Sequence, residues 1–214
     1  MAKAGMCKTV IRIVVVSTAI AAWCLLDFSL HGGFGPHLDA GPHELSGRLM
    51  AQQALALLAP GGQITVITRD TTTFENPASD IQLASFRKTI EQGHASILSL
   101  HALQVDPLRP IAVPSSDFCD AIRNTPDGGV IVSFMGPPLL TDAERFRLGE
   151  INPPVVAFCS GSLPKSVDLR SLFKDGLLQA AVVDRRGAKE ADQPFVTLTT
   201  NQVFEVSEGR EAKP

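Results

Sequence analysis

Three histidines, each six residues from the next, could bind a metal ion near the start of the chain. His31, His37 and His43 lie in a glycine- and proline-rich stretch together with Asp39 and Glu44. Imidazole and carboxylate groups are ligands for zinc, copper and nickel. The spacing matches no familiar zinc pattern, and the surrounding glycines provide no preorganisation. A solvated linker is the competing interpretation, and we expect neither a metal nor another cofactor.

A single cysteine at the end of an apolar run is a candidate nucleophile. Cys159 ends the run 155–159, and α/β thiol enzymes present their nucleophile at such a strand end. His94 or His101 would have to supply the base. Pro164 removes the helix start that would lower the thiol pKa. A Cys-dependent α/β hydrolase is therefore a distant alternative to a buried structural cysteine.

The loop at residues 70–77 carries side chains suited to a small polar solute. Open α/β sheets bind ligands outside the carboxyl ends of their strands, and this loop follows the first predicted strand. Hydroxyl and carboxylate groups would bind the solute, and an aromatic ring would stack on it. Threonine runs are also ordinary loop residues, so a plain loop is the alternative. The candidate ligand-binding residues are Asp70, Thr72, Phe74, Asn76, Gln82 and Phe134.

Apolar periodicity and turn signals predict alternating helices and strands behind these candidates. The predicted helices span about residues 45–59, 79–92, 115–124, 141–148 and 167–174. The predicted strands span 63–69, 95–100, 130–135, 154–159 and 177–184, with a possible sixth at 203–206. This alternation indicates right-handed crossovers. The sequence therefore predicts a three-layer α/β domain with a mostly parallel sheet of five or six strands and helices on both faces.

The first thirty residues predict one transmembrane helix. Lys3, Lys8 and Arg12 precede an apolar run at residues 13–30 in which Asp27 is the only charge. About 17 to 20 such residues cross a hydrocarbon core of about 30 Å. The positive flank keeps the amino terminus in the cytoplasm. We therefore expect a single-pass protein of the bacterial inner membrane, with its domain in the periplasm.

The chain divides into four predicted segments. These are an N-terminal signal-anchor (1–30), a Gly/Pro/His linker (31–44), an extracytoplasmic α/β domain (45–206) and a charged tail (207–214). A small-x-small pattern at residues 19–21 and a cysteine at position 24 leave cleavage and lipidation open as other fates of the anchor.

Charge and cysteine content exclude two protein classes. The 214 residues carry a net charge of -3 and no basic stripe, which argues against nucleic-acid binding. The four cysteines form no disulfide framework, because Cys7 and Cys24 belong to the predicted anchor segment. Only Cys119 and Cys159 could pair, and free thiols are the simpler expectation.

Three stretches resemble one lobe of the type I periplasmic binding protein superfamily, which includes ribose-binding proteins and lactose-repressor-like regulators. The stretches are Gly47-Arg48-Leu49-Met50 through Gln63-Ile64, Ala84-Ser85-Phe86-Arg87-Lys88, and Lys174 through Val182. They are similar to the second lobe, and the resemblance covers about two-thirds of the chain. It implies a doubly wound α/β fold.

Departures from the family pattern shape the functional expectation. Gln82 and Ser85 stand where sugar-binding members carry an arginine and a glycine, and the first lobe is absent. A single lobe offers one wall of a site that normally closes between two. The sequence therefore predicts a non-catalytic, membrane-anchored periplasmic interaction module, an accessory or structural subunit of a larger membrane complex. Its expected partners are integral membrane subunits, the bilayer through residues 13–30 and a possible small polar solute. The alternative is a sugar-like solute-binding receptor subunit of a transport or sensing system.

Overall fold

The computed structural model of the chain describes residues 38–105, 113–148, 153–160, 167–185 and 194–200. Contacts divide the chain after Leu38, and the described helices and strands belong to the unit Asp39–Pro214. The helices are α1 (Ala40–Leu57), α2 (Pro77–Gln92), α3 (Ser115–Asn124), α4 (Asp142–Leu148) and α5 (Leu169–Lys174). The strands are β1 (Gln63–Arg69), β2 (Ser96–Leu103), β3 (Val130–Ser133), β4 (Val155–Cys159), β5 (Ala180–Asp184) and β6 (Phe195–Thr199).

The six strands form one sheet in the order β2-β1-β3-β4-β5-β6. The pairs from β2 to β5 are parallel, and β6 lies antiparallel to β5 at the edge. The prediction of a mostly parallel sheet with helices is therefore confirmed. Parallel strands bring their carboxyl ends to one edge of the sheet, which fixes where a ligand site can form.

Helices cover both faces of this sheet. One core packs α1 and α2 residues such as Met50 and Phe86 against β1, β3 and β4. The other core packs α3 and α5 residues such as Phe118 and Phe173 against the opposite face. Strands covered on both sides are continuously apolar and β-branched, which is why the run QITVITR forms β1.

Helices α1 and α2 approach closely at Gly47. A Cβ at this position would lie 2.2 Å from the carbonyl oxygen of Gln82, so only glycine permits the contact. Beside it, Gln82 Nε2 donates a hydrogen bond to Ser46 Oγ at 2.9 Å, and both side chains are buried. The glycine therefore sets the position of a polar side chain near the carboxyl edge.

The start of α1 differs from the prediction. The helix begins at Ala40, so residues 40–44 of the predicted linker are helical. Asp39 caps it by accepting a hydrogen bond from the Gly41 N–H at 3.0 Å. Pro42 is tolerated because the first N–H groups of a helix have no intrahelical partner.

Three strand predictions also need correction. β2 continues to Leu103, beyond its predicted end at residue 100. β3 ends at Ser133 rather than residue 135, because Gly136 turns the chain with φ +93°. β5 begins at Ala180, since Leu177 and Leu178 precede it as buried residues between α5 and the strand. The sixth strand is Phe195–Thr199, whereas the predicted one at 203–206 lies outside the described residues.

None of the helices in the described ranges has the length and apolar character needed to cross a bilayer. The predicted anchor at residues 1–30 and the tail at 207–214 lie outside those ranges.

Candidate ligand site at the carboxyl edge of the sheet

The carboxyl ends of β1, β3, β4 and β5 border a partly open pocket of about 160 Å³. Helix α2 begins at the same edge and supplies part of the wall. The polar residues of the lining that matter here are His43, Thr68, Arg69, Asn76, Gln82 and Asp184. The pocket therefore lies where an open parallel sheet binds ligands.

Two aromatic side chains contribute to the apolar part of the lining. Phe134 packs edge-on against buried Phe86, with ring centroids 5.3 Å apart and planes at 89°. Phe158 leans on Phe195 with centroids 6.2 Å apart. Both lining rings are half-buried. One part of each ring packs against its aromatic neighbour, and another part lies at the pocket.

Two amide side chains are held in place at the pocket. Gln82 Nε2 donates its hydrogen bond to Ser46. Asn76 caps α2, and its Oδ1 accepts a hydrogen bond from the Ser79 N–H at 3.2 Å. Within the described part of the chain, Gln82 Oε1 and Asn76 Nδ2 form no hydrogen bond. Each amide thus keeps one polar atom for another partner while its orientation is fixed.

Opposite charges stand at the two ends of the pocket. Arg69 is the last residue of β1 and Asp184 the last of β5, and both are half-buried. Two strands separate β1 from β5, so their backbones lie about 14 Å apart. The Arg69 guanidinium makes no ion pair within the described residues, which leaves its donors available to a solute.

Within the loop at residues 70–77, Asp70 and Thr72 hydrogen-bond to each other instead of lining the pocket. Asp70 accepts hydrogen bonds from the Thr72 N–H at 2.9 Å and from the Thr72 hydroxyl at 2.7 Å. These bonds, the backbone one first, lower the pKa of Asp70. Phe74 is 60% exposed. Of the six candidates, the structure brings Asn76, Gln82 and Phe134 together at the pocket and leaves Asp70, Thr72 and Phe74 beside it.

The Cys159 thiol is not placed for nucleophilic catalysis. It is fully buried in the core beneath α3 and α5, and burial raises its pKa to about 12. His101 lies on β2, which β1 and β3 separate from β4, so the backbones are about 14 Å apart. His94 is exposed before the amino end of β2. Neither histidine is near enough to act as the base.

Of the three histidines predicted as metal ligands, one lies in the described part of the chain. His43 lies in α1 at the pocket, while His31 and His37 fall outside the described residues. In the described ranges, no group of three His, Cys, Asp or Glu side chains could hold a metal ion. Cys119 is half-buried, and both it and Cys159 are free cysteines.

Sequence reasoning missed several residues of the pocket. Arg69, Phe158, Ser160 and Asp184 were not among the candidates, although each is the last residue of a strand or lies next to that residue. A usable signal existed, because the polar or aromatic residue that ends each predicted strand must reach this edge of a parallel sheet.

The fold is similar to that of sugar-binding proteins of transporters. A periplasmic ribose ABC transporter protein from Conexibacter woesei matches with TM-score 0.51 and 14% identity, over 78% of this chain and 60% of that one. A sugar-binding protein of a sugar ABC transporter from Bacillus halodurans has TM-score 0.48 and 12% identity, over 78% and 53%. No protein-family model and no curated protein matches the chain.

The match to the ribose transporter protein establishes the fold. The chain has the fold of type I periplasmic binding proteins, which confirms the resemblance described from the sequence. It spans about 60% of the length of the ribose protein, as expected for a single lobe. Similarity at 14% identity indicates a shared fold and does not identify a ligand, so the ligand is inferred from the pocket.

Proposed function

We propose that the domain is a non-catalytic module that binds a small polar solute, such as a sugar, at the carboxyl-edge pocket. The observation that carries this proposal is the convergence of two supported aromatic rings and two oriented amides on one partly open pocket. The fold shared with periplasmic sugar-binding proteins supports the same function.

The pocket offers a sugar both kinds of contact that it needs. Phe134 and Phe158 would pack on the apolar ring face of the solute. Arg69 and Asn76 would donate hydrogen bonds to hydroxyl oxygens, and Gln82 would accept one. Because Ser46 already holds Gln82 and Phe86 already supports Phe134, these two side chains lose little conformational entropy on binding.

The pocket is small for a complete binding site. Its volume of about 160 Å³ lies below the roughly 300 to 1,000 Å³ of typical ligand sites. A single lobe desolvates one side of the solute, so tight binding requires a second wall. In our proposal a partner protein supplies this wall, as in a receptor subunit of a transport or sensing system.

The proposed location is the periplasmic side of the bacterial inner membrane. The positively flanked apolar run at residues 13–30 supports this placement. It would bring the domain next to integral membrane subunits, one of which could complete the pocket. Accessory docking alone, without a solute, has no such support from the described residues.

A stability screen tests solute binding. The full chain in mild detergent is heated with a panel of aldoses and other small polar solutes, since a ligand bound only by the folded state raises the melting temperature with log concentration. For a solute that raises the melting temperature, Arg69→Gln should weaken binding by about tenfold or more, because a charged hydrogen bond is lost. Arg123→Gln, an exposed change on α3, is the control. The proposal is contradicted if no solute stabilises the chain, or if both variants respond like the unchanged protein.

A further inference from the structure

The edge strand β2 has an open hydrogen-bonding side. In the described part of the chain it pairs with β1 alone. The Asp70 N–H donates to the Leu103 carbonyl at 2.8 Å, so Leu103 directs its backbone groups toward β1. Because successive residues of a parallel strand face opposite sides, His101 also faces β1, while Leu100 and Ala102 direct their N–H and C=O groups to the open edge.

The side chains of β2 do not protect this edge. Every second residue is exposed, including Leu98 at 42% and Leu100 at 40%. The eight residues SILSLHAL contain no Lys, Arg, Asp, Glu or Pro. Edge strands of stable monomers usually carry such residues, or are short or covered, because an unprotected edge is a template for another strand. The register shift between Ile64 and Thr65 leaves the later part of β2 regular.

We propose that β2 pairs with β2 of a second copy of this chain, antiparallel across a two-fold axis at His101. In this register Leu100 of each copy lies opposite Ala102 of the other. The two Leu100–Ala102 pairs form about four backbone hydrogen bonds between the copies, using the N–H and C=O groups of the open edge. Two uncharged strands meet without like-charge repulsion, and the exposed Leu100 side chains become diagonal neighbours.

A second copy fits this edge better than an unrelated strand for a reason of symmetry. Most soluble oligomers are homo-oligomers, and a two-fold interface needs a surface that is complementary to itself. The pairing of Leu100 with Ala102 meets this condition, because the same two residues act as donor and acceptor on both sides. The product is a continuous sheet with β6 at both ends.

This dimer leaves the ligand pocket free. A two-fold axis perpendicular to the sheet points the two carboxyl edges in opposite directions. The pocket lies at β1, β3, β4 and β5, away from the joined β2 strands. The second wall of the pocket must then come from a different molecule. Because the two carboxyl edges point in opposite directions, only one pocket of a dimer at a time can face a membrane subunit. Dimerisation and solute binding use different residues, so either could fail alone.

Sedimentation of the full chain in density-matched mild detergent tests the dimer. The unchanged chain should sediment as a dimer that dissociates on dilution. Ala102→Pro removes an N–H at the open edge and leaves the ladder to β1 intact, and Leu100→Lys places charge beside the axis. Each should raise the dimer dissociation constant by about tenfold or more. Leu139→Lys is the matched control, because Leu139 is also 40% exposed.

A cysteine placed on the axis tests the register. Residues facing each other in a non-hydrogen-bonded pair have Cβ atoms about 4.5 to 5.5 Å apart, close to disulfide distance. His101→Cys should therefore form an intermolecular disulfide that the unchanged chain lacks, and Leu139→Cys should not. Circular dichroism confirms that each variant is folded. The proposal is overturned if the unchanged chain stays monomeric at all concentrations, or if folded Leu100→Lys and Ala102→Pro both remain dimeric.

Discussion

Gly47→Ala tests whether the close approach of α1 and α2 stabilises the domain. The added Cβ would lie 2.2 Å from the Gln82 carbonyl oxygen and 3.1 Å from the Phe86 backbone nitrogen. Ordinary contact begins at 3.4 Å, so the helices must separate by about 1.2 Å. Neither neighbouring atom belongs to a flexible side chain that could move aside. The separation would strain the packing of Phe86 and the hydrogen bond between Ser46 and Gln82.

The expected loss follows from two opposing effects. Overpacking a core costs about 1 to 3 kcal/mol, and replacing glycine by alanine in a helix returns up to about 1 kcal/mol. The free energy of unfolding should therefore fall by roughly 1 to 2 kcal/mol. In a chain of this size, that lowers the melting temperature by about 2 to 8 °C.

Urea denaturation followed by circular dichroism measures this loss. Gly41→Ala is the control in the same helix, where the new Cβ lies 3.3 Å from Asp39 Oδ1, a side-chain atom that can move. It should change stability by no more than about 0.5 kcal/mol. If Gly47→Ala is as stable as Gly41→Ala, the helices do not pack as closely as described.

Four further predictions concern three single side chains. Cys159 should resist alkylation at neutral pH while half-buried Cys119 reacts first, because burial raises the Cys159 pKa from 9.0 to about 12; equal rates would contradict this. The raised pKa also means that the stability associated with the protonated thiol is complete below pH 9.0 and declines toward pH 12, a slope that Cys159→Ala should reduce in pH-dependent unfolding. Thr125→Val should cost about 1 to 3 kcal/mol in urea unfolding, since it leaves the buried Thr65 hydroxyl without its 2.7 Å partner; an unchanged midpoint would show that the bond is dispensable. Asp70 should titrate below 3.8 by NMR, and its stabilising effect should be lost as pH falls through that lowered pKa; Thr72→Val should raise the pKa only partly, because the backbone hydrogen bond remains, and a pKa at 3.8 in the unchanged chain would refute the loop geometry.

Local patterns predicted the interior strands because strands buried on both faces are continuously apolar and β-branched. The sequence QITVITR forms β1 at the predicted bounds, and the predicted α3 also ends at Asn124 as observed. The first turn of α1 was missed because Gly41 and Pro42 are typical of loops, yet a helix start tolerates both when Asp39 caps it. β6 was missed although its sequence FVTLT has the β-branched composition of a strand.

The candidate site was predictable only in part for a related reason. Asn76 and Gln82 belong to the segment that follows β1, so their place at the edge follows from one strand and one helix. Arg69 and Asp184 border the same pocket only because the strand order places β3 and β4 between β1 and β5. No local pattern specifies that order. The loop at Asp70 was misjudged because its polar groups pair with each other.

Hydrogen exchange of the full chain, with and without a solute that raises its melting temperature, tests the central claim most directly. We predict that the solute slows exchange at the carboxyl edge, in the segments around Arg69, Asn76 and Phe134, and leaves β2 unchanged. Protection confined to other segments, or no protection at saturating solute, would contradict the assignment of this pocket as the binding site.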